Sequence, residues 1–434
     1  MLSKGVKMAK KLFVFEDHRF EDFYPLTYNR PVYELLFGIK LIREKIASFY
    51  PGPEVILLCR GYLKEILKLK GRLKVNDLEA EDNDQLLFVN GRVTAPGELF
   101  SSLTFSDRKR AIKCREDLIA FTLKGSDLKE FENEVNSLYQ KESLESIKRK
   151  IECSETEVRI ANYLWDFVDL NEKEIESDFR SMTPGLDFKH MLKKCDMDTT
   201  AVIYDLKNVF IGKGSKIDAH VVLDARGGPI YVDEDVWIKS HTRVEGPAYI
   251  GKGTNLVGGK VAPGSSLGPV CRIGGEVENS IFLGFSNKYH EGFLGHSYVG
   301  QWVNLGALTT NSDLKNNYSQ VRVQLKDNQI NTGLIKVGAF LGDHVKTGIG
   351  TLLNTGINVG FAANLFGGRM PKDRFIPSFA WYDGKDLKEY RLDQFISTAS
   401  EVMKRRGVKL EEEEKNFLKE LFALTRKERE RGAS

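Results

Sequence analysis

An aliphatic residue recurs every six positions from about residue 200 onward, and this period constrains the fold more than any other feature of the chain. It fits neither the 3.6-residue period of an α-helix nor the two-residue alternation of a strand in an ordinary sheet. After a three-residue insertion at 227–229 the register resumes, and it returns again beyond about residue 298. The periodic positions are Ile211, Ile217, Leu223, Val232, Ile238, Val244, Ile250 and Leu256, and later Val299, Leu305, Val337 and Ile349.

This period predicts a solenoid built from triangular coils. Each hexapeptide forms one flat face, three of them complete a coil of about eighteen residues, and the aliphatic side chain points inward. Glycines follow the aliphatic residue in the segments 211–214 and 250–253, where a small residue permits the corner. The solenoid accounts for the 39 glycines of a chain that has only 12 prolines.

Residues before about 195 follow a different pattern, in which short apolar runs alternate with helical periodicity. The alternation predicts an α/β domain with a mainly parallel sheet. Beyond residue 385 the chain is rich in Lys, Glu and Arg, with apolar residues at helical spacing, which predicts two amphipathic helices that cover the open edge of the last coil or a neighbouring subunit. We therefore expect three parts, at 1–195, 196–384 and 385–434.

Composition limits the partners. The formal charge of +3 arises from 64 basic and 61 acidic residues spread along the chain, which does not favour nucleic acid or an anionic membrane as a partner. No stretch approaches the roughly 20 apolar residues of a membrane span, and residues 1–8 lack the apolar segment of a signal peptide, so a cytoplasmic protein is expected. None of the five cysteines forms a C-x-x-C pair, which indicates reduced thiols.

The six-residue register is lost between about 257 and 298, and two segments in and after this region stay dense in glycine and polar residues. They are 274–296 and 302–318. Because a solenoid needs only inward aliphatic residues and small corners, segments that depart from the repeat are the candidates for function.

These segments, with residues 335–360, resemble the C-terminal acetyltransferase half of the bacterial bifunctional enzyme that makes UDP-N-acetylglucosamine. The N-terminal part resembles the divergent variant of that enzyme, through residues 25–32 (Pro-Leu-Thr-Tyr-Asn-Arg-Pro-Val) and 90–93 (Asn-Gly-Arg-Val). Residues 165–179 are similar to its inter-domain connection, and the resemblance covers most of residues 10–385. It implies a nucleotidyltransferase-like (Rossmann-like) α/β domain, a left-handed parallel β-helix of hexapeptide repeats, a short α-helical C-terminal tail, and assembly as a homotrimer.

For the β-helix, the resemblance implies acetyl transfer from acetyl-CoA to the amine of an amino-sugar phosphate, with glucosamine-1-phosphate as the expected acceptor. An ammonium cannot attack a thioester, so a base must remove a proton, and imidazole suits this task near neutral pH. His290 occupies the position of the family's catalytic histidine. Asn304 occupies that of an asparagine that lines the site, where a donor would stabilise the developing oxyanion.

Other residues follow as candidates for binding. Lys260, Arg272 and Lys288 are the nearby cations for the sugar phosphate, and Asn311 approximately matches a later asparagine of the family. The backbone N–H near Ala307 is a further oxyanion candidate, while cations on later coils face the phosphates of CoA: Lys336, Lys346 and Arg369.

Two positions depart from the family pattern and bear on the substrate more than on the reaction. A phenylalanine, Phe293, stands where the family has a tyrosine, and Ala262 stands where an arginine is expected. His296 is the next candidate for the base. The remaining histidines of the solenoid, His220, His241 and His344, are interpreted as ordinary surface residues.

The N-terminal domain lacks the glycine-rich phosphate loop that usually follows the first strand, and residues 16–22 are acidic instead. Arg19 and Arg30 are the cations available to a nucleotide. Asn90 stands where a metal-binding aspartate is expected, and because an amide is a poor Mg²⁺ ligand, Asp17 is left as the candidate metal ligand.

Several explanations stay open. The N-terminal domain is either a divergent site that takes UTP or dTTP with Mg²⁺, or a domain that only positions substrate or builds the oligomer. Besides acetyl transfer on the β-helix, a second hypothesis for the whole chain is nucleotidyl transfer with a non-catalytic β-helix. A third hypothesis is that the chain is a non-catalytic scaffold.

Overall fold

The computed structural model describes residues 8–432 except 72, 96, 98, 100–101, 186, 188–190 and 193. Residues 1–7, on which the expectation about a signal segment partly rests, lie outside the described residues. The chain forms two compact units, the first ending at Asn162 and the second beginning at Tyr163; two short segments, Tyr24–Tyr28 and Leu36–Lys40, belong to the second unit. The second unit therefore begins before residue 195, where the sequence pattern placed the boundary.

The first unit contains a seven-stranded mixed sheet. Its strands, in spatial order, are Lys74–Val75, Glu54–Leu58, Lys10–Phe15, Gln85–Asn90, Asp117–Lys124, Arg110–Cys114 and Cys153–Glu155. The first four are parallel, and Asp117–Lys124 runs antiparallel to both of its neighbours. On one face the rings of Phe13, Phe88 and Phe121 stack with centroids 4.4 Å apart at each step, because in-register residues of paired strands share a face.

Four α-helices of this unit are α1 (Ile42–Phe49), α2 (Lys64–Lys70), α3 (Leu128–Asn136) and α4 (Lys141–Lys150). The charged stretch 127–150 forms two of these helices, because α3 ends at Asn136. There the Ser137 hydroxyl donates to the Asn133 carbonyl, the kind of local bond with which serine favours helix ends. Short 3₁₀ turns lie at His18–Phe23, Val32–Glu34, Gly61–Leu63 and Gly125–Asp127.

The second unit is a parallel β-helix. One face is a nine-stranded, entirely parallel sheet, with strands Val209–Ile211, Ile230–Val232, Ala248–Ile250, Ser265–Leu267, Ile281–Gly284, Tyr298–Gln301, Phe340–Leu341, Asn358–Val359 and Phe375–Ile376. The inward residues of successive rungs are buried: Ile211, Val232, Ile250, Leu267, Phe282, Val299, Leu341, Val359 and Ile376.

The other faces carry short strands that stack in the same way. They are Asp196–Met197, Val202–Tyr204, Lys216–Ile217, Val222–Asp224, Trp237–Ile238, Arg243–Glu245, Asn255–Val261, Arg272–Glu278, Asn287–Lys288, Phe293–Gly295, Thr310–Asn311, Lys346–Thr347, Leu352–Leu353, Asn364–Leu365 and Ala380–Tyr382. A 3₁₀ turn lies at Leu206–Asn208. The solenoid predicted from the repeat is confirmed.

The β-helix does not stop where the six-residue register is lost. The step along the chain from Leu267 to its partner Phe282 is shorter than the steps between rungs on either side of it. Ile273, Val277 and Leu294 are also buried in the same core. The six-residue register is therefore lost because coils are shorter here, while the buried apolar interior of the β-helix continues without a break.

One coil is much longer than the rest. The step from Val299 to its partner Leu341 spans more than twice as much chain as the step that precedes it. The extra chain carries an antiparallel hairpin, Arg322–Leu325 with Asn328–Asn331. The sequence pattern did not predict this hairpin.

Helix α5 (Leu164–Met182) packs on the β-helix and joins it to the short hairpin Leu36–Phe37 and Lys40–Leu41. The amide nitrogen of Asn171 donates to the Gly264 carbonyl and the Ser266 hydroxyl, at 2.8 Å each, and its oxygen accepts from the Gly38 N–H at 2.8 Å. Because all three bonds are buried, Asn171 fixes this connection within the second unit.

The C-terminal tail contains three helices where the pattern predicted two: α6 (Leu392–Lys404), α7 (Glu412–Leu424) and α8 (Arg426–Gly432). The strand Leu387–Glu389 pairs antiparallel with Ala380–Tyr382, so it covers the edge of the last coil. Among the described residues, none of the helices is long and apolar enough to cross a membrane.

Candidate active site

A cavity of about 510 Å³ opens on the β-helix where successive coils present four polar side chains in a row. Arg272 pairs with Asn287, Asn287 with Asn304, and Asn304 with Lys346. Parallel rungs lie about 4.8 Å apart, so in-register side chains form one continuous wall. The stacking therefore brings together three residues predicted for the site, Arg272, Asn304 and Lys346, with Asn287 between them.

The cavity is also lined by His290. Its side chain is exposed, and its ring lies 5.1 Å from that of Tyr289 in an edge-on arrangement. The backbone around Gly306 and Ala307 also lines the cavity, as do the stacked rings of Phe285 and Trp302. The predicted base and oxyanion residues thus line the same cavity.

Lys288 occupies a position where the repeat places an aliphatic residue, since it pairs with the inward Ile273. Its ammonium is buried and donates to the carbonyls of Gly274, at 3.0 Å, and His290, at 3.2 Å. Burial lowers the pKa of Lys288 to about 8. Lys288, predicted as a substrate-binding cation, therefore lies inside the coil and ties the backbone of His290 to the preceding corner.

A chain of hydrogen bonds fixes the orientation of the Asn304 amide. An Arg406 N–H donates to Asn287 Oδ1 at 2.8 Å, and Asn287 Nδ2 donates to Asn304 Oδ1 at 3.2 Å. A guanidinium can only donate, so Asn287 must accept with its oxygen and donate with its nitrogen. The nitrogen of Asn304 is thereby left as a donor beside the cavity.

Lys346 lines the same wall, and burial lowers the pKa of its ammonium to about 8. Its Nζ lies 3.4 Å from the carbonyl oxygen of His344. The lysine is thus held in place while its charge is sensitive to mildly alkaline pH.

The end of α6 and the residues after it complete the cavity with Val402, Arg405 and Arg406. Sequence reasoning missed all three, because cations in a tail rich in Lys, Glu and Arg resemble the solvated face of a helix. No local signal would have identified them, since their position depends on how the tail packs on coils more than a hundred residues earlier.

The other predicted binding residues lie elsewhere. Lys260 lines a second, more open groove of about 480 Å³ and pairs with Glu276 at 3.1 Å. Asn311 is buried, and its amide bonds the N–H and the carbonyl of Gly295 at 2.9 and 3.0 Å. Lys336 pairs with Glu278 at 3.2 Å, and Arg369 is exposed; neither is among the residues lining these two openings in the described part of the chain.

The alternative base, His296, lies outside the cavity lining. Its Nδ1 lies 2.8 Å from a carboxylate oxygen of Asp313. Burial opposes ionisation of Asp313, but the hydrogen bond and charge of His296 outweigh it and lower the pKa of that carboxyl. His220 and His241 stack on each other with centroids 5.6 Å apart, and the His344 ring packs beside Trp302 and Phe395.

In the first unit, the polar residues predicted for nucleotide and metal bond to one another. Buried Asp17 accepts from Arg92 at 2.7 Å and from the Asn90 amide at 2.9 Å, while Arg92 also bonds Asp117 at 2.6 Å. Burial opposes the ionisation of Asp17, yet the charge of Arg92 outweighs it and lowers the pKa of the carboxyl. Asn90 is also buried, and its nitrogen donates to the Leu118 carbonyl.

The two predicted cations are also engaged. Arg19 bonds Asp22 at 2.8 Å and Asn162 at 2.6 Å, and the side chain of Arg30 is buried. The second oxygen of Asp17 accepts the Arg19 backbone N–H at 3.1 Å. Both oxygens of Asp17 accept hydrogen bonds, so a Mg²⁺ ion there would have to share this carboxylate with the charged Arg92, and within the residues that the structure describes no cluster of three or more His, Cys, Asp or Glu is arranged to hold a metal.

Fold and site together define a chain with a mixed-sheet α/β unit and a parallel β-helix unit built from hexapeptide repeats, whose cavity collects an imidazole, amides and several cations. Residues 12–186 match the family model described as sugar nucleotidyl transferase. The resemblance and the fold class predicted from the sequence are confirmed.

Two curated relatives are similar to parts of this chain, and the name of the first states two activities. A bifunctional sugar-1-phosphate nucleotidylyltransferase/acetyltransferase of Sulfurisphaera tokodaii is 36% identical over 152 residues, which cover 32% of this chain and 38% of that protein. The bifunctional protein GlmU of Methanococcus aeolicus is 31% identical over 106 residues, covering 23% of this chain and 26% of that protein. The matches thus span less than half the length of these relatives.

Solved structures with similar regions include two UDP-N-acetylglucosamine acyltransferases. That of Arabidopsis is 11% identical and covers 46% of this chain and 76% of its own, and that of Francisella novicida is 13% identical and covers 55% and 85%. The TM-score is 0.23 in both cases, so the β-helix is established by its strand pairing and not by these superpositions.

Proposed function

We propose that this chain transfers the acetyl group of acetyl-CoA to the amine of an amino-sugar phosphate, with glucosamine-1-phosphate as the expected acceptor. The observation that supports it most is the cavity in which an exposed imidazole, an oriented amide and several cations meet. The acetyltransferase activity in the name of the Sulfurisphaera tokodaii relative supports the same reaction.

His290 acts as the base. The acceptor ammonium first loses one proton to water, and His290 then takes a second proton from the nitrogen as the neutral amine attacks the thioester carbonyl and forms the C–N bond. When the tetrahedral intermediate collapses, the C–S bond breaks and the CoA thiolate leaves, taking up the proton held by the imidazole. The hydrogen bond from Lys288 to the His290 carbonyl holds the histidine at the corner of its coil.

Asn304 and the backbone near Ala307 stabilise the oxyanion of that intermediate. The bond from Asn287 leaves the Asn304 nitrogen as a donor, and the N–H of Ala307 has no acceptor within the part of the chain that the structure describes. Donors fixed before the reaction begins stabilise developing charge without reorganisation.

The test is release of CoA from acetyl-CoA across a panel of amino-sugar phosphates that includes glucosamine-1-phosphate. Replacing the base in His290→Ala should lower the rate about 10²- to 10⁴-fold. The matched control is His220→Ala, which removes an exposed imidazole from a distant coil. Equal rates for the wild type and His290→Ala would contradict the role of His290, and no CoA release with any acceptor would contradict the reaction.

A second candidate function is nucleotidyl transfer in the first unit, which the family match over residues 12–186 favours. The closed network around Asp17 argues against a metal there. Incubation with UTP or dTTP, Mg²⁺ and sugar-1-phosphates tests it, and the absence of pyrophosphate would remove this activity for those substrates. A purely architectural β-helix predicts no binding of acetyl-CoA by calorimetry.

We also propose that the protein is a homotrimer located in the cytoplasm. Apolar side chains exposed beside the cavity, those of Leu308, Ile349 and Leu352, support an assembled form in which they are covered. Analytical ultracentrifugation measures the number of subunits directly, and a monomer at micromolar concentration would contradict the trimer.

A further inference from the structure

The C-terminal tail places two arginines in the cavity, and its packing fixes their position. In α6, Phe395 is buried and its ring contacts those of His344 and Phe379, with centroids 5.4 and 5.3 Å away. Near the end of the helix Met403 is also buried, and its carbonyl accepts the Arg406 N–H at 2.9 Å. Arg405 and Arg406 therefore extend from an anchored element.

The positive charge in this part of the cavity is not balanced by the protein. Arg272, Arg405 and Arg406 line it together, and among the described residues none of them forms an ion pair with a carboxylate, nor is any aspartate or glutamate part of the lining. Three other arginines of the tail differ, since Arg391 pairs with Asp393, Arg426 with Glu430 and Arg429 with Glu389.

The side chain of Arg406 has an incomplete set of hydrogen bonds. One of its terminal nitrogens bonds Asn287, but its Nε is buried and donates to no acceptor in the described chain. Burial and the nearby charges of Arg272 and Arg405 lower the pKa of the Arg406 guanidinium. A buried donor without an acceptor costs free energy that a bound anion would recover.

We infer that Arg272, Arg405 and Arg406 form a binding site for a phosphate group, so that the C-terminal tail is part of the substrate site as well as a cover for the last coil. Guanidinium groups bind phosphate through paired, parallel hydrogen bonds, which a cluster of three arginines supplies. The identity of the phosphate rests on the proposed function, because both the amino-sugar phosphate and CoA carry one.

Calorimetry on the full chain tests the site without requiring catalysis. The probes are inorganic phosphate, glucosamine-1-phosphate and adenosine 3′,5′-bisphosphate, which represents the phosphates of CoA. We expect Arg405→Gln and Arg406→Gln each to weaken binding of phosphate roughly tenfold, the loss typical of a charged hydrogen bond. Arg391→Gln removes the same charge from the start of the same helix and should bind like the wild type.

The results separate the two sources. If the arginine variants weaken glucosamine-1-phosphate but not the bisphosphate, the site holds the acceptor, and the reverse result assigns it to CoA. Anion binding that depends on these arginines, in a protein that releases no CoA, would support the site while contradicting the proposed reaction.

Two outcomes would overturn the inference. One is a wild-type protein that binds none of the three probes at millimolar concentration, and the other is unchanged binding in both tail variants. Because Arg405 is exposed, Arg405→Gln is expected to fold normally, and it decides the question if Arg406→Gln does not.

Discussion

Two clusters of charged side chains, one in each unit, differ in how their charges are compensated. In the α/β unit, Arg92 lies between the carboxylates of Asp17 and Asp117, and the Asn90 amide completes the cluster. In the β-helix cavity, three arginines and Lys346 line one opening with no carboxylate in the lining of the described chain. A cluster that satisfies itself holds the fold together, whereas one that lacks its counter-charge is arranged for a ligand.

The largest effect on stability is expected in the α/β unit. Arg92→Met should reduce the free energy of unfolding by about 3–5 kcal/mol, because it leaves the buried carboxylate of Asp17 without its cation and removes one of the two arginines near the half-buried Asp117. Urea denaturation measures the loss, with the exposed Arg110→Met on an adjacent strand as the control. A loss below about 1 kcal/mol would contradict a stabilising role for the Arg92 ion pairs, and Asp17 would then be available for another role.

The cavity should respond in catalysis and not in stability. Asn304→Ala removes the oriented donor and should lower kcat about 10²- to 10³-fold, as loss of one oxyanion donor does. Its exposed side chain predicts little change in unfolding. Steady-state kinetics measure the effect on catalysis, and thermal denaturation measures the effect on stability. A change confined to KM would assign Asn304 to ground-state binding of substrate.

A subtler variant tests the chain of hydrogen bonds. Asn287→Asp keeps the acceptor for Arg406 but cannot donate to Asn304, so the Asn304 amide should rotate and turn its oxygen toward the oxyanion. We expect kcat to fall about tenfold or more, toward the value of Asn304→Ala. Wild-type kcat in this variant would show that the orientation of Asn304 does not depend on Asn287.

The pH dependence of anion binding offers a smaller effect. Since the pKa of Lys346 is lowered to about 8, its ammonium is charged below that pH and becomes a neutral amine as the pH rises through it. Sulfate keeps its charge throughout, so its affinity should fall a few-fold between about pH 7 and about pH 9.5. The pKa of Lys288 is also lowered to about 8, and Lys346→Gln separates the two lysines: the part of the fall in affinity that Lys346 causes should be absent in this variant.

The smallest effect is expected in the open groove. Lys260 and Glu276 form an ion pair in which both side chains are more than 40% exposed, at 48% and 42%, so Lys260→Gln should change the free energy of unfolding by less than about 1 kcal/mol. Kinetics on the same variant address its predicted role, because a raised KM for the sugar phosphate would show that this groove binds substrate.

The interior of the β-helix was predictable from spacing, because each inward position of a stacked coil meets the same environment. Ile211, Val232 and Ile250 are buried as expected. The same rule predicts an aliphatic residue in place of Lys288, and the exception marks the corner where its ammonium bonds the carbonyl of His290. The period thus predicts which side chains are buried. A departure from it indicates where a site lies, but it does not show which side chains contact each other there.

The features that the sequence pattern did not predict depend on tertiary contacts, and a repeat period carries no information about those. Arg405 and Arg406 reach the cavity because Phe395 packs against aromatic rings of the last coils, among them those of His344 and Phe361, which lie more than thirty residues earlier in sequence. In the α/β unit, the residue types suggested nucleotide and metal binding. Only the positions of Arg92 and Asp117 show that Asp17 and Asn90 are already engaged.

The long coil between Val299 and Leu341 has a consequence for the order of folding. In a solenoid each rung forms on its neighbour, so structure spreads along the axis one coil at a time. Closing a loop more than twice the usual length costs about 0.6–0.8 kcal/mol more in chain entropy, which makes this rung the slowest to add. Asn304 lies before the hairpin of this coil and Lys346 follows the coil, so the cavity exists only once both stretches of the solenoid have joined.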